Sequence, residues 1–185
     1  MRLFVALEIP EAVRRSLADV MTKLRPAAPG ARWVRTEGIH LTLKFIGHVA
    51  PEKLAPIRDA FDAIHLDDAV KIRFRGLGFF PSERRPRVLW AGIEATPNLA
   101  RLAADIEDRL EPLGIAREQR PFSPHLTLAR FPEPRPAPKL VEAVRLLPGS
   151  EFGEMEAPEF HLIESHLKPT GAEYTVRATC RFTGR

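Results

Sequence analysis

Two histidine–threonine pairs stand out in the chain, in His40-Leu41-Thr42-Leu43 and again, 85 residues on, in His125-Leu126-Thr127-Leu128. On a β-strand successive side chains point to opposite faces, so each tetrapeptide sends its histidine and threonine to one face and its two leucines to the other. The leucines anchor the strand, and the imidazole and hydroxyl stand side by side. An ordinary imidazole titrates at about 6.5, so two facing imidazoles supply a base for a nucleophile and an acid for a leaving group near neutral pH. Threonine hydroxyls beside them donate hydrogen bonds to non-bridging phosphoryl oxygens. An acid and a base flanking a centre with two such oxygens are the equipment of in-line displacement at a phosphodiester. One copy alone would read as a solvated histidine on a strand. Two copies with threonine at the same offset argue for chemistry.

Bringing the two pairs face to face requires two equivalent strands in equivalent settings. Apolar stripes at helical spacing predict helices over 11–24 (Val13, Leu17, Val20, Met21, Leu24), 52–64, 98–113 and 138–147, the third stopping at Gly114. Period-two alternation predicts strands over 2–9, 39–47, 70–79, 87–93 and 122–131, one strand within 152–167, and one over 174–182. After the leading strand the order α-β-α-β-β runs twice, over about 11–93 and 98–182, at an offset of 85 or 86 residues. The expectation is an α+β fold forming a single bilobal domain over residues 1–185. Two lobes of antiparallel sheet, each backed by helices and related by a pseudo-two-fold axis, would face one another across a cleft holding His40, Thr42, His125 and Thr127. The Pro-rich stretch 132–138 is too short for a domain linker.

Composition narrows the function classes. With 185 residues, 44% hydrophobic and 28% charged, the chain can bury a core, which excludes disorder as its dominant state. Its one cysteine, Cys180, can form neither an internal disulfide nor a thiolate-rich metal site, which points to a reducing compartment. Ala178, Cys180 and Phe182 share one face of a strand, so the thiol is expected to be packed. No apolar run approaches the roughly 18 residues that span a bilayer, and Glu8 and Pro10 interrupt the apolar N-terminus. A cytoplasmic monomer with no membrane contact and no obligate protein partner is expected. The net charge of +4 is too small for a protein that coats nucleic acid. Basic residues gather at Lys71, Arg73, Arg75, Arg84, Arg85 and Arg87, and at Arg117, Arg120, Arg130 and Arg135. They read either as a surface for a phosphate-bearing partner or as a solvated strand face with a charged hairpin tip. His48, His65, His161 and His166 share no pattern. His161 and His166, five residues apart on a strand, point to opposite faces and make a poor metal site. Trp33 and Trp90 read as packing residues, with contact to a base as the alternative for Trp33, which lies near the entrance to the first motif.

The paired His-x-Thr-x motifs, the opening Met1-Arg2-Leu3-Phe4-Val5-Ala6-Leu7, Trp33 ahead of the first motif, and Ser123-Pro124-His125-Leu126-Thr127-Leu128-Ala129-Arg130 together resemble the 2H phosphoesterase superfamily. The likeness is to its bacterial and archaeal RNA 2′,3′-cyclic phosphodiesterases, also called 2′-5′ RNA ligases, and it covers essentially the whole chain. It implies a bilobal α+β fold, no metal or other cofactor, and opening of a 2′,3′-cyclic phosphate at an RNA 3′ end to leave a 2′-phosphomonoester. It further implies His40 as proton donor to the departing 3′ oxygen and His125 as proton acceptor from water, an assignment that the symmetry of the two copies cannot make.

By the same resemblance Arg130 helps to hold the substrate. Strict alternation places Arg130, five residues from His125, on the opposite face, and a β-bulge would reconcile the two. Phe45, at the matching position of the first copy, falls on the leucine face and reads first as a core residue, with base stacking as the lesser alternative. Two other readings stay open. The same site could run in the ligation direction or act on small cyclic or 2′-5′-linked nucleotides, or the chain could be a non-catalytic nucleotide- or RNA-binding module. Two intact histidines speak against the binding module, since binding alone needs no groups that titrate near neutrality.

Overall fold

A computed structural model of the chain describes residues 1–65, 68–133, 136–147, 149–168 and 171–182. The elements are β1 (Arg2–Glu8), α1 (Glu11–Leu24), β2 (Arg32–Trp33), β3 (His40–His48), α2 (Leu54–Asp62), β4 (Val70–Phe80), β5 (Val88–Ala95), α3 (Asn98–Leu110), β6 (His125–Arg130), α4 (Pro138–Arg145), β7 (Glu151–Ala157), β8 (Glu159–Lys168) and β9 (Gly171–Arg181). They build two antiparallel sheets, one in the order β3-β1-β8-β9 and one in the order β2-β6-β5-β4-β7. The architecture is the expected α+β one.

Strands from the two halves of the chain mix within each sheet. The first sheet takes β1 and β3 from one half and β8 and β9 from the other. The helices cross over too: α3 and α2 pack on β3 and β9 of the first sheet, while α1 lies on β7 of the second beside α4. A local arrangement nevertheless recurs. In β1-α1-β3 and in β5-α3-β6 the chain leaves a strand, passes through a helix and returns antiparallel beside it. Register pairs Glu8 with His40 and Ala6 with Thr42 in one case, and Gly92 with His125 and Trp90 with Thr127 in the other.

One continuous core lies between the sheets and their helices. It takes Leu3, Val5 and Leu7 from β1, Leu41 and Leu43 from β3, Leu126 and Leu128 from β6, and the predicted stripe of α1. Each such side chain contributes about 1.5–3 kcal/mol when fully buried. Cys180 packs on this side with Ala178 and Phe182, its Sγ 3.2 Å from the Ile64 carbonyl, and burial pushes the thiol pKa up.

Three expectations are corrected. Residues 152–167 hold two strands rather than one: Pro158 separates β7 from β8, and the chain passes there from the second sheet to the first. Gly153, at φ +123°, sits at a register shift and breaks the alternation that would have announced β7. The strand expected over 122–131 begins only at His125, because Pro121 and Pro124 have no N–H to give a ladder. The third helix ends in a 3₁₀ turn, Glu111–Leu113, closed by Gly114 at φ +79° as expected. No helix among the described residues is long and apolar enough to cross a membrane.

Candidate active site

Both motif strands carry the same irregularity. Along β3 the register steps from Thr42↔Ala6 to Lys44↔Val5 and leaves Leu43 over; along β6 it steps from Thr127↔Trp90 to Ala129↔Leu89 and leaves Leu128 over. A bulge of this kind inserts one residue and reverses the facing of all that follow. Leu43 and Lys44 are therefore both buried, as are Leu128 and Ala129, and the next residue in each copy returns to the histidine face. Arg130 pairs with Val88, which shares its face of β5 with Trp90 and Gly92, the partners of Thr127 and His125. The bulge that Arg130 required is present. Phe45 is corrected by the same geometry: it pairs with Phe4 on the open face and is 53% exposed.

His40 and Thr42 thus lie on the open face of the first sheet, and His125, Thr127 and Arg130 on that of the second. The strands β3 and β6 pack against each other where the sheets meet. All five expected side chains are brought to adjoining faces.

His40 is held between aromatic rings. It stacks on Phe4, with centroids 4.6 Å apart, and meets the edge of Tyr174 at 5.4 Å. Tyr174 comes from β9, at the far edge of the first sheet, and its ring reaches past Phe4 to His40 on β3. The Tyr174 ring would lie 3.3 Å from a Cβ at position 38, so a larger residue there would press the ring away by a few tenths of an ångström. Burial between the rings pulls the His40 pKa down to about 4, against a backbone hydrogen bond to Gly38 that favours the charged ring and with a further lowering from Arg14. Arg14 also fixes the segment ahead of β3, donating to the carbonyls of Ile9, Thr36 and Glu37 at 3.3, 3.0 and 2.8 Å. On the reverse side of β3, Lys44 reaches Glu107 of α3 and the Ala116 carbonyl, each at 2.6 Å. Burial raises the Tyr174 phenol pKa against the pull of Arg2 and Arg130, so Tyr174 feels charges from both sheets.

The second half-site is built differently. His125 Nδ1 lies 2.7 Å from the Ser123 carbonyl, so the neutral ring donates there and keeps its Nε2 lone pair free. Phe80 meets the His125 ring edge-on at 5.0 Å and lies 5.2 Å from Trp90. Trp90 packs as expected, yet on the open face beside Thr127, over Gly78, where a Cβ would fall 2.2 Å from the indole. Its buried Nε1 has no hydrogen-bond partner among the described residues. Trp33 packs on the core, its Nε1 donating to the Ala28 carbonyl at 3.4 Å.

The basic clusters divide. Lys71 stands opposite Glu156, and Arg73 between Glu94 and Glu154, in the β-ladders, while Arg75 lies 3.6 Å from Glu94, which makes this stretch a solvated, charge-balanced strand face. Arg117 is engaged by Asp108 and Glu111 at 2.5 and 3.1 Å. Arg135 lies outside the described residues. His161 is buried, with Nδ1 3.0 Å from the Thr179 hydroxyl, and His166 approaches Glu164 at 3.6 Å. Among the described residues no group of three His, Cys, Asp or Glu is placed to hold a metal ion.

Sequence reasoning missed the aromatic setting of the histidines, Phe4, Tyr174 and Phe80, and the clamp of Arg14. Only faint signals exist for them. Phe4 is an aromatic on the second apolar face of β1, and Tyr174 is the chain's single tyrosine.

The chain matches the family model described as LigT like Phosphoesterase over residues 7–90 and 93–174, one motif in each segment. It is similar to the RNA 2′,3′-cyclic phosphodiesterase of Archaeoglobus fulgidus, at 36% identity over 174 residues, covering 94% of this chain and 96% of that protein. Among solved structures it resembles TT0787 of Thermus thermophilus, with a TM-score of 0.83 and 36% identity over 100% of this chain and 99% of that one. It also resembles E. coli LigT complexed with 3′-AMP, with a TM-score of 0.81 and 25% identity over 98% of each chain.

Proposed function

Because this chain belongs to the LigT-like phosphoesterase family, within the 2H superfamily, we propose that it hydrolyses the 2′,3′-cyclic phosphodiester at RNA 3′ ends to a 2′-phosphomonoester by metal-independent acid–base catalysis between His40 and His125. The observation that carries this reading is the placement of both His–Thr pairs on adjoining open faces by two strands with the same bulge.

His125, its Nδ1–H engaged by Ser123, takes a proton from water through Nε2 as the water oxygen bonds to phosphorus. The bond from phosphorus to the 3′ oxygen breaks, and that oxygen takes a proton from His40. Thr42 and Thr127 donate to the two non-bridging oxygens, where negative charge grows. In the free protein burial keeps His40 neutral at pH 7. The negative charge of a bound phosphodiester beside the ring favours the imidazolium and offsets that burial, so the acid form accumulates as substrate binds. Phe45, exposed on the same face, offers its plane to the terminal base.

Incubation with a short RNA ending in a 2′,3′-cyclic phosphate tests the reading. The expected product carries a 2′-phosphate. A 3′-phosphate, or a cyclic end left unopened, contradicts it.

A further inference from the structure

Arg32 is the one residue of the edge strand β2 that shares the open face of the second sheet. It stands directly opposite Arg130 in the β2–β6 ladder, while its neighbour Trp33 pairs with buried Ala129 and packs on the core. Directly opposed like charges weaken an antiparallel ladder. Some of the other arginines meet carboxylates, as Arg109, Arg145 and Arg181 do at 3.0, 2.6 and 3.2 Å, but this directly opposed pair does not. Arg32 and Arg130 are both exposed, and among the described residues neither guanidinium has an ion pair or a hydrogen bond. Two unneutralised guanidinium forks side by side form a site for an anion of phosphate geometry.

Position says which phosphate. Thr127 pairs with Trp90 and Arg130 with Val88, so Arg130 lies two ladder positions beyond Thr127, roughly 7 Å along the strand, and Arg32 one strand further out, which displaces the arginine pair from the phosphorus flanked by the imidazoles. A nucleotide at a 3′ end has its only other phosphate on its 5′ side. The residue matching Arg130 in the first copy is the apolar Phe45, so the phosphate chain is offered to the second sheet and the base to the first.

We propose that Arg32, together with Arg130, binds the phosphodiester on the 5′ side of the terminal nucleotide, which makes the end of an RNA chain a better substrate than a mononucleoside 2′,3′-cyclic phosphate. This rests on the reading of the site as one that opens 2′,3′-cyclic ends.

The test compares kcat/KM for a dinucleotide with a 2′,3′-cyclic end and for a mononucleoside 2′,3′-cyclic phosphate lacking a 5′-phosphate. In Arg32→Gln the ratio of the two falls about tenfold, mainly through KM on the dinucleotide, and Arg32→Lys recovers part of it because the ammonium keeps the charge without the fork. The melting midpoint of Arg32→Gln does not fall, since one of two opposed charges has gone. An unchanged ratio overturns the proposal. If the wild-type protein opens neither substrate, the reading of the activity fails, and binding of a short RNA with a 2′-phosphate end decides Arg32 instead. The slope of log Kd against log salt should flatten by about 0.7 in Arg32→Gln, the value for one single-strand phosphate contact. An unchanged slope overturns the assignment in that case.

Discussion

His40 sits between two rings, and that burial sets how it titrates. As the proposed donor it must be charged, yet in the free protein its pKa is about 4, so the working form is scarce at neutral pH until substrate arrives. Activity measured as kcat/KM, which reports the free protein, should fall with rising pH from a lower value than kcat, which reports the complex. An NMR titration checks the same point: the His40 pKa rises when a nucleoside 2′-phosphate is bound, and an unmoved value contradicts the donor role. Phe45→Ala should raise KM about tenfold with little change in kcat, in line with the loss of one stacked base. At this scale the histidines and threonines were legible in the sequence, because the motif repeats. The facing of Phe45 and Arg130 was not. Leu43-Lys44 and Leu128-Ala129 give no sign in their side-chain types that two consecutive residues turn inward.

The motif strands depend on what lies behind them. Lys44 turns inward because of the bulge, and its contacts with Glu107 and Ala116 tie β3 to α3. Lys44→Met leaves the largely buried Glu107 carboxylate without its cation and with only the Glu118 N–H at 3.3 Å, a loss of about 3–5 kcal/mol when a buried pair is broken. A drop of about 6–20 °C in the melting midpoint should follow for a chain of this size. On the second sheet, Gly78→Ala drives a methyl into the Trp90 ring, so the indole beside Thr127 must move. Turnover should fall in this variant even where the folded fraction is unchanged, which circular dichroism alongside the assay will show. The helices were read from the sequence with little error because their apolar stripes are regular. β7 was missed because Gly153 and its register shift interrupt the alternation, and two-residue β2 is too short to show a period.

Over the whole molecule, the two copies of the motif are legible in the chain, but the mixing of strands between sheets is not. The chain passes between the sheets at several connections, that at Pro158 among them, and no local pattern reports which sheet a strand joins. The burial of His40 couples folding to the chemistry. His40 titrates near 6.5 when unfolded and near 4 when folded, so the unfolded chain binds more protons between those values. Stability should therefore rise as pH climbs from about 4 to 6.5, by up to about 3 kcal/mol, and chemical denaturation of His40→Asn should show a flatter dependence. The central claim is that two imidazoles divide the proton transfers between them. Its most direct measurement is single-turnover opening of an RNA 2′,3′-cyclic end by His40→Ala and His125→Ala, with the ordinary substrate and with one carrying sulfur in place of the 3′ oxygen. Each variant should lose about 10²–10⁴-fold on the ordinary substrate. The sulfur substrate, whose thiolate leaves without a proton, should restore His40→Ala and not His125→Ala. Near-normal rates in both variants, or rescue of His125→Ala alone, would contradict the account.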